Sequence, residues 1–550
     1  MDDTLDRFDS RRSPVYANRG VVATSQPLAA QAGIEILRDG GNAFDAAVAT
    51  AAALNVVEPT STGLGGDVFA LYRTADDEVG ALRSCGGAPA DATIENVRSA
   101  LDEIEDPSRH YQELQEADSV DPDEHGMPFY GPHAVTVPGT ARGWEATVRE
   151  LGRLSLEAVL DPAIRYALDG YPVSPVIARS WTAAESLFRD EHARSAYLVD
   201  GNAPRAGETV TLEKLGRSLQ RIADEGADVV YEGEIAEAIA SEVRDAGGFM
   251  TVEDLAGFEP EFLDPISSTY GGVEVYELPP NNQGQIALEA LNIAAEIGAG
   301  EHPYESAERI HAFAESTKLA FVDGHRYITD PAYEPVRALH DPDYARERAG
   351  AIGERAIEDP PIGDPDVPAE DADTVLLCVA DEAGNVVSYI NSRFAGFGSG
   401  LVAGDTGIAL QNRGASFSLD PDHPNRLEPG KRPFHTLIPA LARFDDDDWM
   451  AFGVMGGYMQ PQGHVQVISN MVDYGMGPQQ ALDAPRWRYR EEGTLAVEER
   501  LSAQTQLAWK GHDLRVLPPV LFGGAQLVRR TGETMVGATE PRKDGVAIGY

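Results

Sequence analysis

Residues 371–392 read DADTVLLCVADEAGNVVSYINS, and the change of pattern inside this stretch decides the fold. Upstream, RAIEDPPIGDPDVPAEDAD (355–373) carries four prolines and a dense run of carboxylates, which suits neither a strand nor a stable helix. Downstream, Val375 to Ala380 is apolar and β-prone, Asp381 to Asn385 is a turn, and a second β-prone run follows. The spacing predicts a hairpin whose first strand opens at Thr374, directly after an acidic linker.

Working outward, SQPLAAQAGIEILRDGGNAFDAAVATAAALNVVEP (25–59) predicts two helices. Leu28, Ala32, Ile36 and Leu37 share one helical face, Gly40-Gly41 stops the first helix, and Asn42 caps an alanine-rich second over 44–55. GLGGDVFALYR (63–73) is a glycine turn feeding a strand; no helix follows it, which argues against a nucleotide loop. Residues 97–130 form a polar, acidic insertion expected to be partly helical and exposed, and HAVTVPGTARGWEATVRELG (133–152) predicts a helix from Thr140. Helical patterns dominate 155–245. The run from Gly271 predicts strand, PPNNQG loop and helix, and a further helix covers SAERIHAFAESTKLAFVDGHRY (306–327). Strand-like runs, including KRPFHTLIPAL (431–441), crowd the part after Thr374. Helices first and strands later, with no repeat of fixed period, predict helices packed outside sheets in one compact unit.

Charge and cysteine content exclude whole classes. The 550 residues include 90 acidic and 44 basic side chains, a net charge of −46, with five lysines only, at 214, 318, 431, 510 and 543. Such a surface repels nucleic acid and anionic membrane and reads as a solvated face suited to high salt. Two cysteines, Cys85 and Cys378, exclude a disulfide scaffold and a cysteine-rich metal site. The N-terminal MDDTLDRFDSRRSPVYA lacks the apolar core of a secretory signal, and the longest apolar window, 46–57, is too short to span a bilayer. The expectation is a soluble, cytoplasmic protein. Walker, HExxH, CxxC, GxSxG and EF-hand patterns are absent, and His311 and His325 share no ligand spacing, so no metal or cofactor is implied.

Thr374 remains. A threonine hydroxyl needs a base beside it, and no histidine is local. Scission before Thr374 would free an α-amine titrating near 7.7–8.0, a base that needs no partner elsewhere in the sequence. The other reading is a β-branched residue opening a strand and nothing more. In FGVMGGYMQPQGHVQVISNM (452–471) the adjacent Gly456 and Gly457 end a strand, where two peptide N–H groups can face one oxyanion; a plain turn is the other reading.

These segments together resemble the γ-glutamyltranspeptidase family of N-terminal-nucleophile hydrolases. The resemblance runs from about Tyr16 to about residue 545 and rests on SQPLAAQAGIEILRDGGNAFDAAVA, GLGGDVFALY, VTVPGTARGW, GGFMTVEDLAGF, ELPPNNQG, DTVLLCVADEAGNVVS, GSGLVAGDTGIALQN, GKRPFHTLIPAL and MGGYMQPQGHVQV, in the family's order. It implies an α/β fold, a four-layer αββα sandwich, and self-cleavage between Asp373 and Thr374. A large segment (1–373, ending in the linker 355–373) and a small one (374–550) would stay associated as one intertwined unit. Thr374 matches the family's nucleophile, Ser392 the hydroxyl residue supporting it, Gly456 and Gly457 the oxyanion-hole glycines, and His435 and Thr436 the two adjacent serines near substrate.

The departures fall around the acyl group. Cys85 stands where the glutathione-type members place a carboxylate-gripping Arg, and Phe394 stands where they place an Asn. Arg413 and Ser416 replace the Gln and Asp that read the donor's carboxylate and ammonium. Losing the Asp removes a charge-assisted bond of roughly 1.5–3 kcal/mol, an order of magnitude or more in donor binding, whereas Arg413 is suited to a carboxylate. Three expectations follow. The first is a self-processing γ-glutamyltransferase or γ-glutamyl hydrolase acting on glutathione-type amides, with water or an amine as acceptor. The second is a cephalosporin-acylase-like amidase for other carboxyacyl amides, and the third a catalytically silent binding protein on the same fold.

Overall fold

The computed structural model describes residues 12–104, 109–111, 126–358, 360, 374–490 and 492–550. Two seven-stranded sheets, antiparallel throughout, form its centre. The first runs, in spatial order, Val546–Gly549, Gly20–Thr24, Val375–Asp381, Val386–Ser392, Asp67–Arg73, Val79–Ser84 and Glu261–Leu263. The second runs Val15–Ala17, Thr534–Thr539, Gly524–Thr531, Asp448–Met455, Ala440–Asp445, Val273–Glu277 and Ile266–Tyr270. Each sheet takes strands from both sides of Thr374.

The side-chain period of two along each strand sorts residues into three cores. Val375, Leu377 and Val379 face a core shared with the helices Pro27–Arg38 and Ala43–Val57. Leu376, Cys378 and Ala380 face the opposite way, onto Leu441, Ala451 and Val528 of the second sheet. Met450, Phe452 and Val454 of that sheet then point to a third core with Ile286, Phe313 and Val465, on the helices Gly284–Glu296, Ala307–Tyr327 and Met459–Val472. Helices, sheet, sheet, helices is the four-layer αββα sandwich. A Cβ on Gly453 would stand 2.9 Å from Leu376 Cδ2, so the missing side chain lets the two sheets close.

Local sequence chemistry explains the N-terminal layer. Asn42 Oδ1 accepts from Phe44 N (2.9 Å) and Asp45 N (3.1 Å), and Asp45 Oδ2 accepts from Asn42 N (2.9 Å), a reciprocal capping box. Every residue of the Ala43–Val57 helix is buried. A Cβ on Gly33 would come within 2.3 Å of Thr50 Oγ1, so glycine and alanine are what allow the first two helices to touch.

Three expectations are corrected or bounded. The insertion over 97–130 is not wholly exposed: Tyr111, Met127 and Phe129 are buried, and only the short helix Ile94–Leu101 forms among its described residues. Residues 431–439 are not a strand; Pro433 and Pro439 have no N–H to give, and the ladder begins only at Ala440. Instead His435 N donates to Asn281 O (2.9 Å) and Gln283 N to His435 O (3.0 Å), laying this segment beside the PPNNQG loop. Of the acidic linker, residues 359 and 361–373, with Asp373 of the expected cleavage site, lie outside the described residues. Among the described residues no helix is long and apolar enough to cross a membrane.

Candidate active site

Strand register builds the site. Val375 lies opposite Asn391, Ser392 opposite Asp67, and Val68 opposite Ser84. Extending the outer ladders by one residue places Thr374, Ser392, Asp67 and Cys85 in one row across the end of four adjacent strands, about 4.8 Å apart strand to strand.

Thr374 is 1% exposed, and its Oγ1 donates to Ser392 Oγ at 3.4 Å. Ser392 Oγ also accepts from Phe394 N at 2.9 Å. That bond braces a turn in which Phe394 takes φ of 81°, a left-handed conformation costly for an aromatic residue. The turn sets the ring: Phe394 lies under the Arg413 guanidinium, 4.2 Å from ring centre to Cζ, and 5.7 Å from the ring of Phe129.

Arg413 is fully buried on the 3-10 turn Arg413–Ser416. Its Nη1 donates to Thr436 Oγ1 at 2.8 Å, while Nε and Nη2 have no hydrogen-bond partner. Those two N–H groups form one side of the guanidinium, the edge that takes a carboxylate with two parallel bonds. Burial lowers the Arg413 pKa to about 10, with Asp67 opposing the shift, so the side chain keeps its charge at neutral pH. Ser416, on the same turn, is buried with Oγ unpartnered.

Asp67 is the residue that sequence reasoning misses. Its buried carboxylate accepts from Gly139 N (3.1 Å), Gln411 Nε2 (3.0 Å) and His435 Nε2 (3.1 Å). His435 Nδ1 accepts from Leu437 N (3.2 Å), which fixes the imidazole proton on Nε2. Burial, then the Arg413 charge, holds the His435 pKa well below the usual range, so the ring is neutral. Burial raises Asp67 to about 7, with Arg413, Gln411 and the Gly139 amide opposing. The sequence signal for it is slight, an acidic residue entering a strand after GLGG.

Gly456 and Gly457 end the Asp448–Met455 strand with φ of 117° and 55°, and the Met459–Val472 helix follows. Gln283 Nε2 donates to both Thr436 O (2.6 Å) and Gly457 O (3.0 Å), tying this turn to the Arg413 side of the site. A chain of contacts joins the expected residues: Thr374 to Ser392, Ser392 to Phe394, Phe394 to Arg413, Arg413 to Thr436, and Thr436 through Gln283 to Gly457, with His435, bonded to Asp67, next to Thr436. Cys85, at the end of the row, is buried, and burial pushes its thiol up to about 12. It also lines a cavity of about 520 Å³ with Phe258, Tyr333 and Arg432.

A second histidine cluster lies elsewhere. His311, Glu315 and His512 are buried with ligand-type atoms within 4.8 Å of one another. Three of their four ring nitrogens are already committed: His311 Nε2 faces Gly353 O (2.9 Å) and His311 Nδ1 faces His512 Nε2 (2.9 Å), while His512 Nδ1 stands 3.8 Å from Glu315 Oε1, which the Lys318 ammonium holds at 2.7 Å. This is a hydrogen-bonded chain with its own cation, and it does not fit a divalent metal.

The family model for gamma-glutamyltranspeptidase matches residues 29–550. The chain belongs to the gamma-glutamyltranspeptidase family. It is 38% identical to the glutathione hydrolase-like YwrD proenzyme of Bacillus subtilis, over 97% of this chain and 100% of that one. It is 34% identical to the oxamate amidohydrolase proenzyme of Klebsiella pneumoniae, over 97% and 99% respectively. Among solved structures, a cephalosporin acylase from Bacillus halodurans superposes with a TM-score of 0.88 at 42% identity, covering 98% of this chain and 97% of that one. As a gamma-glutamyltranspeptidase-family member the protein is an enzyme, an N-terminal-nucleophile-type hydrolase or acyltransferase.

Proposed function

We propose that the protein is a self-processing amidohydrolase that removes carboxyacyl groups from amides through an ester on Thr374. Scission between Asp373 and Thr374 frees the α-amine of Thr374, which takes the Oγ proton as that oxygen attacks the amide carbonyl. The developing oxyanion sits at the N–H groups of Gly456 and Gly457. The amine leaves with the proton, and water, or a second amine, releases the acyl group from Thr374. Ser392 orients the nucleophile from the neighbouring strand. The strands of segments 1–373 and 374–550 interleave in both sheets, so the fragments remain together after scission.

One observation carries the choice of donor: the unpartnered Nε–Nη2 edge of Arg413, buried beside the row that begins at Thr374. An acyl chain with a distal carboxylate meets a two-bond partner there. A γ-glutamyl donor brings an α-ammonium as well, and this would face a guanidinium where Ser416 offers no charge. Similarity to a cephalosporin acylase and to an oxamate amidohydrolase favours the same donor class. The second reading, γ-glutamyl amides, is favoured by similarity to the glutathione hydrolase-like protein. Paired anilides decide between them. Glutaryl-p-nitroanilide should be cleaved with a kcat/KM at least tenfold above that of γ-glutamyl-p-nitroanilide, roughly the value of one charge-assisted bond. The opposite order would install the γ-glutamyl reading.

A further inference from the structure

Asp67 does no chemistry in the proposed mechanism, yet its carboxylate is tightly confined. It lies between Ser392 and Cys85 in the row, fully buried, with three donors on its two oxygens. It has no direct hydrogen bond to Arg413 but stands beside it: Gln411, two residues before Arg413, and His435, next to the Arg413 partner Thr436, both donate to Asp67. Both charges are fully buried and act on each other through a dry interior. The docked carboxylate of a donor would therefore be a second anion beside a guanidinium that Asp67 already balances.

We infer that Asp67 sets how strongly the enzyme prefers acyl donors with a distal carboxylate over neutral isosteres, by taking up a proton from solvent as that carboxylate docks on Arg413. The inference rests on the Arg413 reading of the donor site. With Asp67 protonated, Arg413 meets the donor's carboxylate alone; with Asp67 ionised, the same docking places two anions against one cation. Either Asp67 binds a proton or the donor binds weakly.

Other groups facing Asp67 do not titrate in the working range. His435 is neutral, held there by burial and by Arg413. The Cys85 thiol is pushed up to about 12 and the Tyr231 phenol is raised by burial, its hydroxyl donating to Pro138 O at 2.9 Å. Gln411 and the Gly139 amide carry no charge. Burial raises the Asp67 pKa to about 7. The preference for a carboxylate donor is therefore fully present below that value and is lost as pH rises through it. Each unit by which docking raises the Asp67 pKa corresponds to about tenfold in preference.

The test uses two donors of one shape on the processed enzyme, glutaryl-p-nitroanilide and its primary-amide analogue, 4-carbamoylbutanoyl-p-nitroanilide. Their ratio of kcat/KM cancels the titration of the Thr374 amine, which both share. We expect the ratio to favour the carboxylate donor at pH 6 and to fall about tenfold by pH 9. In Asp67→Asn the ratio should stay high and flat. A wild-type ratio that favours the carboxylate donor but does not change with pH overturns the role of Asp67, as does an Asp67→Asn enzyme with the wild-type slope. A ratio near one at every pH overturns the Arg413 reading instead. Should Asp67→Asn not fold, calorimetry of wild type with glutarate, in two buffers of different ionisation enthalpy, decides the same question. Proton uptake should be larger at pH 8 than at pH 6, and equal uptake rejects the inference.

Discussion

Nδ1 of His464 stands 2.6 Å from Oε1 of Glu277, both side chains fully buried, at the point where the Asp448–Met455 strand loses a neighbour. The pairing with Ala440–Asp445 ends at Ala440 opposite Phe452, two residues short of Val454. Val454 N donates to His464 Nε2 at 3.3 Å, and one turn earlier on the same helix Gln460 Oε1 accepts from Ile438 N at 3.0 Å. Helix side chains thus replace the missing ladder just before Gly456. The Nε2 lone pair is committed to Val454, so the ring donates through Nδ1 to Glu277, whose pKa burial raises and His464 lowers. His464→Ala leaves a buried carboxylate and a buried N–H without their partner. We expect a loss of about 3–5 kcal/mol in unfolding free energy by denaturant titration. A change under about 1 kcal/mol would mean that the pair contributes nothing to the edge.

The cap at Asn42 makes a second stability prediction. Asn42 Oδ1 caps the Ala43–Val57 helix, and its Nδ2 donates to Leu151 O at 2.6 Å. Asn42→Ala removes the two cap bonds and the Leu151 bond and should cost about 2 kcal/mol. Asn42→Ser keeps a cap oxygen and loses the Leu151 bond, so its unfolding midpoint should fall between those of wild type and Asn42→Ala. Equal midpoints for the two variants would show that the cap oxygen is not what matters.

That cap is legible in the sequence because everything it needs lies within four residues, and the hairpin from Thr374 is legible because the turn Asp381 to Asn385 separates two adjoining β-prone runs. Ser392, Arg413 and Thr436 are found through their resemblance to family positions. Asp67 is not, because its meaning comes from three donors at 139, 411 and 435 and from strand register, none of which a local pattern encodes. The same holds for Gln283, a loop residue in the sequence, whose amide joins the Thr436 and Gly457 carbonyls. Phe129 reads as part of an exposed insertion because the acidic run EADSVDPDEH (116–125) shortly precedes it; in the fold it reaches the Phe394 ring.

Arg413 gives the clearest functional prediction. Arg413→Gln keeps a donor for Thr436 but removes the charge and the two-bond edge. Two charge-assisted bonds of this kind are worth about 2–3 kcal/mol together after desolvation, or roughly 30- to 150-fold. The loss should appear in kcat/KM for glutaryl-p-nitroanilide and not for its neutral amide analogue. Equal losses on both donors would show that Arg413 serves the fold, or the nucleophile, and not the carboxylate.

Self-processing is the step on which the mechanism stands, because the group that Thr374 Oγ1 meets among the described residues is another hydroxyl, Ser392 Oγ, and not a base. Intact mass of purified wild type beside Thr374→Ala and Thr374→Ser measures it directly. Wild type should separate under denaturing conditions into fragments of about 40 and about 19 kDa, the 59.0 kDa chain divided in proportion to its 373 and 177 residues. Thr374→Ala, with no nucleophile, should remain full length. Thr374→Ser keeps an oxygen and should still process. Under native conditions the wild-type fragments should elute as one species, since each sheet is built from both. Full-length wild type that nevertheless cleaves glutaryl-p-nitroanilide would place the base elsewhere. Asp67, about two strand spacings from Thr374 and titrating near 7, would then be the first group to test.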